Sequence, residues 1–86
     1  GLGGLDHHVR RARRVASATI RARVDTDYDE LATALNTHGI RVDSHRTFDH
    51  PEDRTFEVKI SGPSRQFDIA IAALLSRDYI YGVHVD

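Results

Sequence analysis

The sequence predicts a small α+β domain whose elements run strand–helix–strand–strand–helix–strand. Three observations carry this reading. Period-two alternation marks two well-separated runs, a helical apolar stripe follows each of them, and turn or capping residues stand at the junctions.

From Val15 the apolar positions Ala16, Ala18, Ile20, Ala22 and Val24 interleave with Ser17, Thr19, Arg21 and Arg23, the pattern of a half-buried strand. Asp25-Thr26-Asp27 supplies a helix N-cap, and Glu30 follows Asp27 by three residues, as in a capping box. Tyr28, Leu31, Ala32 and Leu35 then form one apolar stripe of a helix, and Gly39 sits where a C′ glycine would end it. Ile40 and Val42 open a second strand running through Ser44 and Arg46 toward Phe48. Its alternation weakens in the middle, which suits a bulged edge strand.

Asp49-His50-Pro51-Glu52-Asp53 reads as a hairpin connection. The next strand is the cleanest, with Phe56, Val58 and Ile60 against Thr55, Glu57 and Lys59. Ser61-Gly62-Pro63-Ser64 breaks the pattern and offers a helix start, with Ser64 as cap or Pro63 in the first turn. Phe67, Ala70, Ile71, Leu74 and Leu75 make the second helical stripe, widened by Ile69 and Ala73. Tyr79 to Val85 closes the chain with Tyr81, Val83 and Val85 on one face. Two right-handed crossovers joined by a hairpin give a ferredoxin-like βαββαβ domain. It has one four-stranded antiparallel sheet, the first and third strands central, and both helices on one face.

Eighty-six residues allow one domain, near the size at which a single core just suffices. With 40% hydrophobic and 29% charged residues the chain is ordinary globular material. The absence of cysteine excludes disulfides, thiolate metal sites and thiol redox chemistry. No apolar run reaches the ~18 residues that span a bilayer. Residues 1–14 are rich in glycine and arginine and read as a basic flexible lead-in or linker, with the domain proper at residues 15–86. A start at Gly1 without methionine reads as a piece of a longer protein. Charge is uneven: residues 1–23 hold six arginines against one aspartate, and residues 24–86 hold six basic against twelve acidic residues.

The sheet face away from the helices is expected to display Ser17, Thr19, Arg21, Arg23, Thr55, Glu57 and Lys59, with Arg41, Asp43, His45, Ile80 and His84 at the edges. That face is polar and free of aromatic rings, which speaks against RNA recognition by base stacking, and the acidic body opposes phosphate attraction. Six histidines raise the question of metal. A zinc or nickel site at His45, His50 and Asp49 competes with a scatter of surface histidines, because no HxxxH or HExxH occurs. Asp25, Asp27, Asp29 and Glu30 cap a helix, and the hairpin acids Asp49, Glu52 and Asp53 make a solvated turn. No cysteine and no serine in a GxSxG context is available as nucleophile. No catalytic constellation emerges, and no cofactor is implied.

Three segments resemble a known family: the strand end Val24-Asp25, the helix end Asn36-Thr37-His38-Gly39-Ile40, and Leu75-Ser76-Arg77-Asp78-Tyr79-Ile80-Tyr81-Gly82-Val83. Together they look like an ACT or ACT-like regulatory domain over residues 15–86. In amino-acid-binding ACT domains the first loop carries a Pro-Gly step whose backbone receives the ligand. Here that loop is Asp25-Thr26-Asp27-Tyr28, with neither residue. A basic lead-in before such a domain is similar to the cytoplasmic C-terminal domain of the MgtC/SapB family of bacterial membrane proteins. That resemblance implies attachment to the inner membrane through a segment outside this chain, and a role linked to magnesium limitation, intracellular survival and virulence.

The expectation is therefore a non-enzymatic regulatory or protein-interaction domain. It would act by self-association or by docking a protein partner through its open sheet face (Arg21, Arg23, Glu57, Lys59, His84) or an edge strand. The basic lead-in would contact anionic membrane. The alternatives are amino-acid-type sensing at Asp25, Thr26, Asp27 and Tyr28 to control an attached enzyme or regulator, and metal binding through the histidines.

Overall fold

The computed structural model describes residues 12–86. Strands β1 (Arg13–Ala22), β2 (Arg41–Asp49), β3 (Arg54–Pro63) and β4 (Ile80–Val85) and helices α1 (Tyr28–Asn36) and α2 (Phe67–Leu75) follow one another in the βαββαβ order. A 3-10 turn, Ser64–Gln66, leads into α2. The sheet order is β2-β3-β1-β4, all pairs antiparallel, so the two best-alternating strands are central as expected. The basic pair Arg10-Arg11 of the lead-in lies outside the described residues. Arg13 and Arg14 open β1, two residues earlier than the apolar alternation begins.

Alternation fixes which way each central strand faces. Ala16, Ala18, Ile20 and Ala22 of β1 and Phe56, Val58 and Ile60 of β3 are buried toward the helices. They meet Leu31, Ala34 and Leu35 of α1 and Phe67, Ala70 and Leu74 of α2 in one core. Ile69 and Leu75, read as part of the second helical stripe, are each 51% exposed. The buried face of α2 is narrower than its composition suggests, because a two-layer domain covers a helix on one side only.

Each outer strand carries one irregularity that reverses its facing. In β2 the register shifts between Val42 and Ser44. Val42 pairs with core-facing Ile60, whereas Ser44, Arg46 and Phe48 pair with outward Lys59, Glu57 and Thr55. His45 therefore points to the helix side, not outward, and Phe48 leaves the core side. In β4 the register shifts at Arg21/Ala22, so Ile80 pairs with Ala22 and is buried rather than outward. Tyr81 is the extra residue and drops out of the inward set of Val83 and Val85. A bulge adds one residue to one strand and inverts every side chain beyond it.

Asp27 caps α1, its carboxylate accepting from Asp29 N at 3.2 Å. The reciprocal Glu30 arm of a capping box is not among the described hydrogen bonds. At the other end Gly39 N donates to Asn36 O at 2.9 Å and Ile40 N to Leu35 O at 3.1 Å, with Gly39 at φ +76°. These two bonds form a Schellman motif, and the left-handed φ is why glycine stands there. Ser61-Gly62-Pro63 does not start the second helix. It extends β3, because β1 pairs with it up to Arg13↔Pro63, and α2 begins only at Phe67.

A Cβ on Gly62 would lie 2.7 Å from Gly39 O and 2.7 Å from Ile40 Cδ1, whereas a Cβ on Gly82 meets nothing within 4 Å. Gly62 is thus where the end of α1 rests on the sheet. Gly62→Ala is expected to destabilise the fold by about 1–3 kcal/mol through overpacking. Gly82→Ala should stay within about 1 kcal/mol of wild type. Urea unfolding followed by circular dichroism separates them: a lower midpoint for Gly62→Ala only, with the slope unchanged.

Candidate functional site

Two surfaces collect the residues singled out by sequence. The first is the β1–α1 loop. Past the end of β1, Arg23 N donates to Tyr79 O at 2.8 Å, and Thr26 N donates back to Arg23 O at 3.0 Å. The Arg23 guanidinium donates to Asp25 Oδ1 at 2.6 Å. That bond holds the Asp25 carboxyl below its ordinary value and raises Arg23. Thr26 is 2% exposed, and its buried hydroxyl has no hydrogen-bond partner.

A long-range strut fixes this loop. Arg54, the first residue of β3, faces the helix side by its parity with Phe56. Its Nη1 donates to Thr26 O at 2.7 Å and its Nε to Asp49 Oδ1 at 2.6 Å. The loop, the end of β2 and the start of β3 are thereby tied by one guanidinium. Alongside, Tyr28 stacks on His45 with ring centroids 3.6 Å apart and 11° between planes, and tilts against Phe56 at 6.4 Å. Burial, with a smaller contribution from Asp29, lifts the Tyr28 phenol above its ordinary value.

The second surface is the open sheet face. Arg21 pairs across with Thr55 and Gly82, Thr19 with Glu57 and His84, and Ser17 with Lys59. From β2, Arg46 stands beside Glu57 and Ser44 beside Lys59. Arg46 lies over the Phe48 ring at 5.3 Å, and Arg21 over the Tyr81 ring at 5.6 Å. The face is therefore not free of aromatic rings: one stands near each edge, each covered by a guanidinium. Arg21 also reaches Asp53 of the hairpin at 3.4 Å, and His84 reaches Asp86 at 3.1 Å.

Of the five residues expected to form the interaction face, Arg21, Glu57, Lys59 and His84 share the open sheet surface. Arg23 stands beyond the end of β1, bonded to Asp25. Asp25, Thr26, Asp27 and Tyr28 do form one loop, but Asp27 spends its carboxylate on the α1 cap. His45, His50 and Asp49 do not converge. Four strand steps of about 3.3 Å separate His45 from Asp49, His45 is stacked on Tyr28, and Asp49 is paired with Arg54. No group of three or more His, Asp or Glu among the described residues could hold a metal ion.

Sequence reasoning missed Arg54, Phe48, Arg46 and Tyr81 as site residues. For Phe48 and Arg46 the one available signal was the weakened alternation around Asp43, which marked a bulge without locating it.

Removing the strut with Arg54→Met is expected to cost about 1.5–3 kcal/mol, the range for a hydrogen bond to a charged group. It should also speed amide exchange through residues 25–28, read by NMR. The Tyr28 phenol has a defined pH consequence. Its folded-state pKa is raised, so its contribution is whole below the unfolded value of about 10 and falls as pH rises through the folded value. Urea midpoints measured from about pH 9 to about pH 11 should decline less steeply in Tyr28→Phe than in wild type.

No family model matches the sequence, and no curated protein matches it at a significant level. Solved structures do resemble it. The ACT domain from GTP pyrophosphokinase of Chlorobium tepidum superposes at a TM-score of 0.70 with 9% identity, covering 87% of this chain and 100% of that one. A homoserine dehydrogenase from Thiobacillus denitrificans superposes at 0.72 with 16% identity, covering 90% of this chain and 18% of that one. The present chain thus corresponds to less than a fifth of the length of that dehydrogenase. At these identities the likeness is one of architecture, and the architecture is the ACT-like form of the ferredoxin-like fold.

Proposed function

We propose that this chain is a non-enzymatic regulatory domain that works by docking a partner on its open sheet face. The observation that carries the reading is the arrangement of Arg21, Arg46 and Lys59 around Glu57, with Phe48 and Tyr81 beneath guanidinium groups. Exposed arginines backed by aromatic rings are the side chains that interfaces favour, and a cation-weighted face suits an acidic partner. The ACT-like architecture supports a regulatory role, since its structural neighbours include an ACT domain from a GTP pyrophosphokinase.

The finer reading follows the MgtC/SapB resemblance: a cytoplasmic domain attached to the inner membrane, its basic lead-in against anionic lipid, serving a function tied to magnesium limitation and virulence. No helix among the described residues is long and apolar enough to cross a membrane, so that attachment calls for a segment outside this chain. Self-association through the same face or the β2 edge belongs to this reading as well.

A second reading, sensing of an amino-acid-type ligand at the β1–α1 loop, is favoured by the buried Thr26 hydroxyl that lacks a partner. The hydroxyl is sealed from solvent, so a small polar ligand would reach and satisfy it only with movement of the loop.

Titration of the labelled chain with a polyglutamate peptide tests the docking face. Shifts should map to Arg21, Arg46 and Lys59, and Arg21→Glu with Lys59→Glu should weaken binding at least about tenfold. An unchanged titration in the double variant removes this face from consideration. Amide shift mapping with free amino acids tests the second reading, which silence at residues 25–28 would eliminate. Vesicle cosedimentation tests the lead-in: Arg10→Ser with Arg11→Ser should reduce binding to anionic vesicles and leave the negligible binding to neutral ones unchanged.

A further inference from the structure

Three glycines lie among the described residues, and the chain itself accounts for two of them. Gly39 takes a left-handed φ, and Gly62 lies against the end of α1. Gly82, in the edge strand β4, has neither reason. Its φ is not positive, and apart from its two chain neighbours no described residue comes within 4 Å of where its Cβ would stand. The bulge beside it does not ask for glycine either, because a bulge needs one only where φ is left-handed. A glycine inside a strand loses packing and backbone order. Where the fold does not require it, it marks a close approach by a ligand or another chain.

Gly82 faces the open side of the sheet, since it pairs with Arg21 while Val83 turns to the core. Around it Thr19, Arg21, Thr55, Val83 and His84 complete a shallow hollow of about 360 Å3, room for one ring. The long side chains at its margin lean away. The Arg21 guanidinium lies over Tyr81 at 5.6 Å and reaches Asp53 at 3.4 Å, and His84 reaches Asp86 at 3.1 Å. What is left is a floor of glycine backbone and two threonines, with the Tyr81 ring, 46% exposed, beside it.

We propose that this hollow seats an aromatic side chain of a protein partner, one carried on a segment rich in carboxylates. The proposal rests on the docking reading and gives that partner its anchor. A ring laid across a strand glycine shields the bare backbone, the device by which edge glycines are made good. Here the ring also meets Tyr81 and the Arg21 guanidinium, while carboxylates along the segment meet Arg46 and Lys59 on the same face. A nucleobase is equally flat, but its phosphates would meet Glu57 and Asp53 among those cations. A seated ring surrounded by weaker polar contacts is the common form of an interface hot spot.

Two blocked peptides, each a run of glutamates around a central phenylalanine or a central alanine, are titrated into the labelled full chain. The phenylalanine peptide should bind about tenfold more tightly and give ring-current shifts at Thr19, Thr55 and Gly82. Gly82→Val fills the hollow with a residue that suits a strand and whose Cβ meets open space. Its urea midpoint should not fall, and the phenylalanine peptide should drop to the affinity of the alanine one. Equal binding of the two peptides by wild type overturns the proposal and leaves the docking reading standing, as does a preference that survives Gly82→Val. Binding of neither peptide overturns both readings. A single-stranded oligothymidylate that displaces the phenylalanine peptide from wild type but fails to bind Gly82→Val overturns the proposal by assigning the hollow to a base. Self-association that Gly82→Val abolishes overturns it by assigning the hollow to a second copy.

Discussion

The ladder between β1 and β3 is the constraint on which the rest of this domain depends. Both strands are ten residues long and pair without a break from Arg13↔Pro63 to Ala22↔Arg54. Ala16 and Ala18 lie beside Ile60 and Val58, and Ile20 beside Phe56, giving a floor on which both helices rest. A slip of one residue would carry Arg21 inward against the helices and expose Ile20, so the buried face holds the register. That same register decides which groups face outward. Glu57 and Lys59 stand on the open face because Phe56, Val58 and Ile60 cannot.

Where alternation was unbroken, the sequence was readable. The central strands, the element order, the Asp27 cap and the Gly39 terminus were all legible, because each rests on a local pattern with one physical meaning. The outer strands were not. A bulge leaves no compositional mark when the residues around it are polar, and Asp43, Ser44 and His45 suit either face. Past that bulge Phe48 reads as core by parity and stands instead beside Thr55 on the open face. Tyr81 misleads for a related reason, since a tyrosine suits a core or a surface equally, and only the register with Arg21 and Ala22 shows it to be the extra residue.

The β1–α1 loop illustrates the other limit. Its four residues were legible as a candidate site, but the group that shapes it comes from 28 positions away in the chain. Arg54 follows a proline-containing polar turn and carries no local signal of its role. Its significance appears only when β3 lies beside β1 and brings the guanidinium to the Thr26 carbonyl. The same holds for His45, which reads as a metal ligand or a surface residue until the β2 bulge turns it onto Tyr28. Residues whose roles depend on long-range geometry are hidden from patterns of period two or 3.6.

Among the described residues, the division of the sequence into a basic beginning and an acidic remainder does not become two halves in space. Asp27, Asp29 and Glu30 gather at the start of α1, where they complement the helix dipole on the helix layer. Arg21, Arg46 and Lys59 lie on the opposite surface of the sheet, joined at its edge by Arg13. Both surfaces carry both signs: Glu57 and Asp53 stand among the cations of the open face, and Arg54 lies on the helix side. An anionic partner, as the docking reading requires, would meet the cations of the sheet face rather than the acids at the start of α1. The β1–α1 loop, tied by Arg54 to the helix side of the sheet, is left clear of that approach. A ligand at the loop and a partner on the face would therefore occupy the domain together.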